Sequence, residues 1–303
     1  MDVAVAPLSP ARVWWSAVRP VTLVASVAPV IAGTAVAINN EGGTRWWAAL
    51  GALVVALAMQ LGVNFANDYS DYVRGADKKR VGPVRAASSG VVEPEHVRLA
   101  AVAAFGVAGL AGLVLSLAID WRLILVGAAS ILAGWLYTGG PRPYGYLGLG
   151  EVFVFVFFGL VATVGTVYVE TSTITPLAVL VGAGIGFLAC AILVLNNLRD
   201  IDSDAAAGKR TLATLIGRKW TRILLLVFVS AAFAVPIAAW ALDLADETVL
   251  VALLAVPFAS TAVYTAFVST SAPKLVGALK RMAMTELAYA LLLTLGLLLA
   301  SSR

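Results

Sequence analysis

Long apolar runs, each near the length needed to cross a bilayer, alternate along this chain with short polar connections. A membrane-spanning helix needs about 20 predominantly apolar residues. Nine such runs are predicted, at about 15–38, 46–66, 97–118, 122–138, 149–169, 175–198, 220–242, 247–269 and 281–301. The fourth is short, and only the polar patch Asp243, Asp246 and Glu247 divides the seventh from the eighth. The pattern predicts an all-α membrane protein in which residues 1–303 form one transmembrane domain.

Composition agrees. Of 303 residues, 61% are hydrophobic and 13% charged, and the mean hydropathy is +0.93. Soluble domains carry about 25% charged residues and roughly 45–50% apolar ones. A water-soluble globular protein, a disordered chain and a DNA-binding module are excluded, and no nucleic-acid partner is expected. One cysteine, Cys190, precludes an intramolecular disulfide, and one histidine, His96, precludes a histidine-based metal site.

The net charge of +4 matters less than its placement. If alternate connections share a side, one side collects Arg12, Arg19, the basic residues of the second and sixth loops, Arg142, Lys274, Lys280 and Arg281. The other keeps only Arg45, Arg122 and Arg303. By the positive-inside rule the N-terminus and both long loops are cytoplasmic, the C-terminus is outside, and the host is the cell membrane. Ala35-Val36-Ala37 resembles a signal-peptidase site, but the run before it is long and eight spans follow, so an uncleaved first helix is expected.

Carboxylates are costly near lipid and mark function when they cluster. One cluster closes the second span: Asn64, Asn67, Asp68, Asp71 and, further on, Asp77. The other closes the sixth: Asn196, Asn197, Asp200, Asp202 and Asp204. Both contain Asn-x-x-x-Asp and both continue into a basic loop, a sign of an internal repeat. Residues four apart share a helix face, so Asn64 with Asp68 and Asp71, and Asn196 with Asp200 and Asp204, each form a polar stripe. Carboxylates this close repel one another unless something positive sits between them. The donors are all oxygens, which suits Mg²⁺ and disfavours zinc. Mg²⁺ takes one or two carboxylates and completes its shell with water and substrate phosphate. Two acidic stripes flanked by Lys78, Lys79, Arg80, Lys209 and Arg210 therefore describe a diphosphate site, with Asn64, Asp68, Asp71, Asp200 and Asp204 as metal ligands.

Four segments resemble the UbiA superfamily of intramembrane prenyltransferases: NFANDYSDYVRGAD with RVGPVRAASSG, LYTGGPRPYGYLGLGE, NNLRDIDSDAAAGKRTL and VRPVTLVASVAPVIAGT. The third fits the family's Asp-x-x-x-Asp-x-x-x-Gly-x-x-Thr pattern without gaps. The family's first motif often ends with an acid where this chain has Gly75, a departure similar to its naphthoate-prenylating branch. The resemblance implies nine helices around a central cavity that opens sideways to lipid, with cytoplasmic cap loops over the active site. It also implies Mg²⁺, a polyprenyl diphosphate donor and an aromatic acceptor, here 1,4-dihydroxy-2-naphthoate, prenylated with loss of CO₂ to give a demethylmenaquinol. Oligomeric state and prenyl length stay open.

On that reading an allylic cation forms in a dry pocket, with Tyr72, Tyr137, Tyr144 and Phe153 available to face it. The acceptor's carboxylate needs a cation, for which Arg19 is the candidate; an interfacial snorkelling arginine is the alternative. Asn67, Asn196 and Tyr137 are further substrate-side candidates. Glu286 either faces the cavity or pairs with Arg281 or backbone, and Glu151 is explained by its place at a helix start. Gly182 and Gly186 suggest a packing face. Other acceptors, such as 4-hydroxybenzoate or homogentisate, compete with this reading. So does a cation-coupled secondary transporter, which predicts acids at the bilayer midplane. CDP-alcohol phosphotransferases also use aspartate-rich sites, but their compact motif is absent.

Overall fold

The computed structural model describes residues 9–39, 43–75 and 85–301. Asp77, Lys78, Lys79 and Arg80 lie outside the described residues. Among the described residues all regular structure is helical: α1 (Pro10–Val18), α2 (Pro20–Ile38), α3 (Trp46–Val73), α4 (Pro94–Ala118), α5 (Leu123–Leu136), α6 (Gly150–Val154), α7 (Ala162–Thr171), α8 (Pro176–Ala206), α9 (Leu212–Ala241), α10 (Val256–Val268) and α11 (Ala272–Ser301). A π-helical segment, Phe155–Val161, joins α6 to α7, and a 3₁₀ segment, Glu247–Ala255, leads into α10. Eight units are long and apolar enough to cross a membrane, and α5 is a shorter apolar helix among them.

Helix starts follow local chemistry. Pro10, Pro20, Pro94 and Pro176 occupy first-turn positions, where a missing N–H costs nothing. The Thr175 and Thr211 hydroxyls accept from the Ala178 and Thr214 amides to cap α8 and α9.

Three expectations change. The first predicted span is two helices, broken at Arg19 (φ 52°), because Pro20 starts a new helix and disfavours helical backbone before it. The predicted fourth span is the 14-residue α5. At about 1.5 Å per residue it reaches about 21 Å, short of a hydrocarbon core of about 30 Å. The second and sixth spans run on as helix past their predicted ends at 66 and 198, so the acidic stripes form the last turns of α3 and α8. At 31 residues α8 extends about 46 Å, so its final turns project to the membrane surface.

Two cores form. Buried residues of α2, α7, α8, α9, α10 and α11 make the larger one. Residues of α1, α3 and α4 with Ala86, Ala87 and Val92 make the smaller. Each of α3 and α8 packs on α2. The π segment meets α8 at Gly159, where a Cβ would lie 2.4 Å from Gly186 Cα and 2.7 Å from Gly182 O. The Gly182/Gly186 pair is thus a packing face, as predicted.

Candidate active site

Between the two cores runs a cavity of about 1040 Å³, lined by both acidic helix ends and by apolar residues of α4, α5 and α7. Asp68, Asp71, Asp200 and Asp204 all line it, as do Asn64, Asn67, Asn196 and Asn197. The two clusters meet directly. Lys209, just past α8, places Nζ 2.7 Å from Asp71 Oδ1 on α3 and lies over the Tyr146 ring at 4.9 Å.

Each acid is engaged. Asp68 is buried and accepts from the Ala86 and Ala87 amides at 2.9 and 3.4 Å, so the segment after residue 84 folds back over the end of α3 as a cap. Asp71 takes Arg85 Nη2 at 2.9 Å, the Tyr146 hydroxyl at 2.8 Å, and Lys209. Asp200 is gripped by the neighbouring Arg199, whose guanidinium also donates to Asn196 Oδ1 at 2.8 Å. A buried carboxylate tolerates this position only when its charge is paired. The phenol of Tyr146 is pushed up by burial, then by the charge of Asp71, and so stays a donor.

The cluster asparagines support structure. Asn67 Oδ1 accepts from Thr138 Oγ1 at 2.7 Å, and the Arg74 guanidinium donates to the Gly140 carbonyl, which together pin the 137–149 connection to α3. Asn64 donates to Val18 O and Thr22 Oγ1 and accepts from Gln60, leaving its oxygen a second lone pair. The pinned connection presents Tyr137 and Tyr144 to the cavity, and α6 presents Phe153; Tyr144 stacks on Phe153 at 3.8 Å and meets Tyr137 edge-on at 5.4 Å.

Several expectations resolve otherwise. Arg210 is exposed and does not line the cavity, because the turn after Gly208 sends Lys209 inward and its neighbour outward. Tyr72 is 44% exposed and does not line the cavity. Glu151 is buried and accepts from Asn197 at 3.1 Å, so it is more than a helix-start acid. Glu286 neither lines the cavity nor pairs with Arg281: it is fully buried between helices, with no hydrogen-bond partner for either oxygen. Sequence reasoning did not promote Arg85, Arg199 or Tyr146. Arg199 sits inside the acidic motif, which was a usable signal; nothing in the spacing marked Tyr146 or Arg85.

Among the described residues no three acids, histidines or cysteines gather closely enough to hold a metal alone. That agrees with the donor chemistry: oxygen ligands on two facing helices, presently paired with cations, suit Mg²⁺ shared with a bound phosphate rather than a closed protein cage. The acids lie within two turns of the ends of α3 and α8, not at midspan, which disfavours the transporter reading.

An α-helical membrane fold with paired aspartate-bearing helix ends around one apolar cavity defines a class. The chain belongs to the UbiA prenyltransferase family, which residues 26–287 match, and it is an integral multi-pass membrane enzyme of that family. It is 46% identical over 246 residues to the 1,4-dihydroxy-2-naphthoate octaprenyltransferase of Mycobacterium tuberculosis, an alignment covering 81% of this chain and 83% of that protein. Two solved folds are similar. A UbiA homologue from Aeropyrum pernix gives a TM-score of 0.65 at 15% identity, covering 92% of this chain and 97% of that one. A homologue from Archaeoglobus fulgidus, bound to DMAPP and Mg²⁺, gives 0.62 at 15%, covering 93% and 99%.

Proposed function

We propose that this enzyme transfers a polyprenyl group from polyprenyl diphosphate to 1,4-dihydroxy-2-naphthoate, releasing diphosphate and CO₂ and forming a demethylmenaquinol. The observation that carries the reading is the Lys209–Asp71 contact, which brings both acidic clusters to one end of one cavity. The acceptor is supported by the relative from Mycobacterium tuberculosis, whose name states that activity.

Asp68, Asp71, Asp200 and Asp204 would hold Mg²⁺, while the Asn64 amide is taken up by Val18, Thr22 and Gln60. The ion's contribution, when bound, is to offset charge on the diphosphate as the bond to carbon breaks. Arg85, Arg199 and Lys209 line the same end. They balance the acids in the free protein and turn to the phosphate oxygens once the diphosphate competes with the acids for these cations. Tyr146 stays protonated and donates there.

When the C1–O bond of the prenyl group breaks, diphosphate leaves with the electron pair and an allylic cation remains. The stacked Tyr144–Phe153 pair and Tyr137 offer ring faces to that cation and keep water from it. The electron-rich ring carbon bearing the carboxylate forms the new bond to C1. The carbon–carboxylate bond then breaks, its electrons restore the aromatic ring, and CO₂ departs. Arg19 lines the cavity on the α1–α2 side and takes the carboxylate before that step. The prenyl tail lies along the apolar walls of α4, α5 and α7. The Lys/Arg distribution supports a cytoplasmic position for the acid-bearing end.

Purified protein incubated with Mg²⁺, polyprenyl diphosphate and each aromatic acceptor in turn tests the reading. Prenylated naphthoquinol with stoichiometric CO₂ is expected; product only from 4-hydroxybenzoate or homogentisate would overturn the acceptor.

A further inference from the structure

Arg19 stands at the break between α1 and α2 in the left-handed region (φ 52°, ψ 70°). A residue with a Cβ pays about 1–2 kcal/mol to stand there, so the surroundings must hold it. They do so on both sides. The carbonyl before it, Val18 O, accepts from Asn64 Nδ2 at 2.9 Å. Its own carbonyl accepts from the Thr22 amide and hydroxyl, both at 2.9 Å. The Thr22 hydroxyl in turn accepts from Asn64 Nδ2 at 3.0 Å. One amide group therefore closes the corner, and its orientation is fixed by Gln60, whose Nε2 donates to Asn64 Oδ1 at 3.0 Å. Gln60 and Asn64 are 5% and 2% exposed. Leaving one of these largely buried amides unpaired carries its desolvation cost, so the chain of bonds holds as a unit.

We propose that Gln60 is a positioning residue for the acceptor site: acting through Asn64 and Thr22, it locks the α1–α2 corner and so fixes where Arg19 presents its guanidinium in the cavity. The inference rests on the reading of Arg19 as the partner of the acceptor's carboxylate. The corner determines the direction in which Arg19 leaves the backbone, and a long side chain on a loosened corner would spread over many positions. Gln60 thus acts on acceptor recognition without itself binding the carboxylate. The diphosphate, held by the aspartates and by Arg85, Arg199 and Lys209, is insulated from the corner.

The test uses two competitive inhibitors of the full enzyme in membranes or detergent, 1-hydroxy-2-naphthoate and 1-naphthol, which differ by the carboxylate. Gln60→Met keeps the side-chain length and removes the donor. It is expected to weaken 1-hydroxy-2-naphthoate about tenfold while leaving 1-naphthol and the KM for polyprenyl diphosphate unchanged. Thr22→Val, which keeps the branched shape and removes the hydroxyl, is expected to do the same and serves if Gln60→Met fails to fold. Arg19→Gln should erase the preference for the carboxylate altogether. Equal weakening of both inhibitors, a shift in the KM for polyprenyl diphosphate, or no change in Gln60→Met would overturn the clamp. If Arg19→Gln retains the carboxylate preference, the reading of Arg19 falls and the clamp with it; if Arg19→Gln loses it while Gln60→Met and Thr22→Val keep it, only the clamp falls.

Discussion

Lys209 and Asp71 are 138 residues apart in sequence and 2.7 Å apart in space. The contact joins the turn after α8 to the last turn of α3, so two acidic motifs that read as a repeat face one cavity. A cation between two acidic helix ends keeps them from repelling each other in the free protein, and substrate diphosphate can then draw it away.

Lys209→Met is therefore expected to raise the KM for polyprenyl diphosphate at least tenfold. Asp71 keeps Arg85 and the Tyr146 hydroxyl, so thermal stability in detergent should fall by less than the 3–5 kcal/mol that an uncompensated buried charge costs. Steady-state kinetics and a melting curve check both halves. An unchanged KM would remove Lys209 from the diphosphate site.

Asp68→Asn and Asp200→Asn each preserve shape while removing a charge and one of two acceptor oxygens. Transfer should drop by about 10³ or more in each, since charge stabilisation at the reacting phosphate contributes on that scale, with size-exclusion profiles unchanged. Normal turnover in both variants contradicts the assignment.

Chelating divalent ions should abolish transfer, and Mg²⁺ should restore it. Zn²⁺ should restore little, because the available donors are hard oxygens with no histidine or thiolate among the cavity residues. Activity measured against a series of added metals gives the answer.

The Tyr146 hydroxyl donates to Asp71, and Lys209 lies over its ring. Burial, then the Asp71 charge, hold it above the ordinary tyrosine value of about 10. Its donor function is present below its own elevated pKa and is lost only as pH rises through it. The alkaline limb of the pH–rate profile should therefore be the same in wild type and Tyr146→Phe, with kcat/KM several-fold lower in the variant. A limb that vanishes in the variant would mean that Tyr146 itself titrates in the working range.

Gly159→Ala places a methyl on the backbone of Gly182 and Gly186. Two helix backbones must separate, an overpacking that costs about 1–3 kcal/mol. A lowered melting temperature is expected, and an unchanged one would show that the π segment gives way.

Most of the helices were legible because lipid leaves few options: apolar runs of spanning length become helices. The acidic stripes were legible too, since Asn64, Asp68 and Asp71 at helical spacing occupy one buried face of α3. What the pattern hid was set by tertiary contact. Arg19 falls inside an apolar run, and only Pro20 hints at a corner. Arg85 and Tyr146 reach Asp71 from distant connections of unremarkable composition. Arg210 and Lys209 are indistinguishable by charge, and the turn at Gly208 alone decides which points inward.

Calorimetric titration of polyprenyl diphosphate into wild type, Asp68→Asn and Asp200→Asn, each with and without Mg²⁺, bears most directly on the shared headgroup. Mg²⁺-dependent binding in the wild type, lost in either single variant, is the predicted result. Mg²⁺-dependent affinity that survives intact in one of them would mean that the two helix ends do not hold a single diphosphate between them.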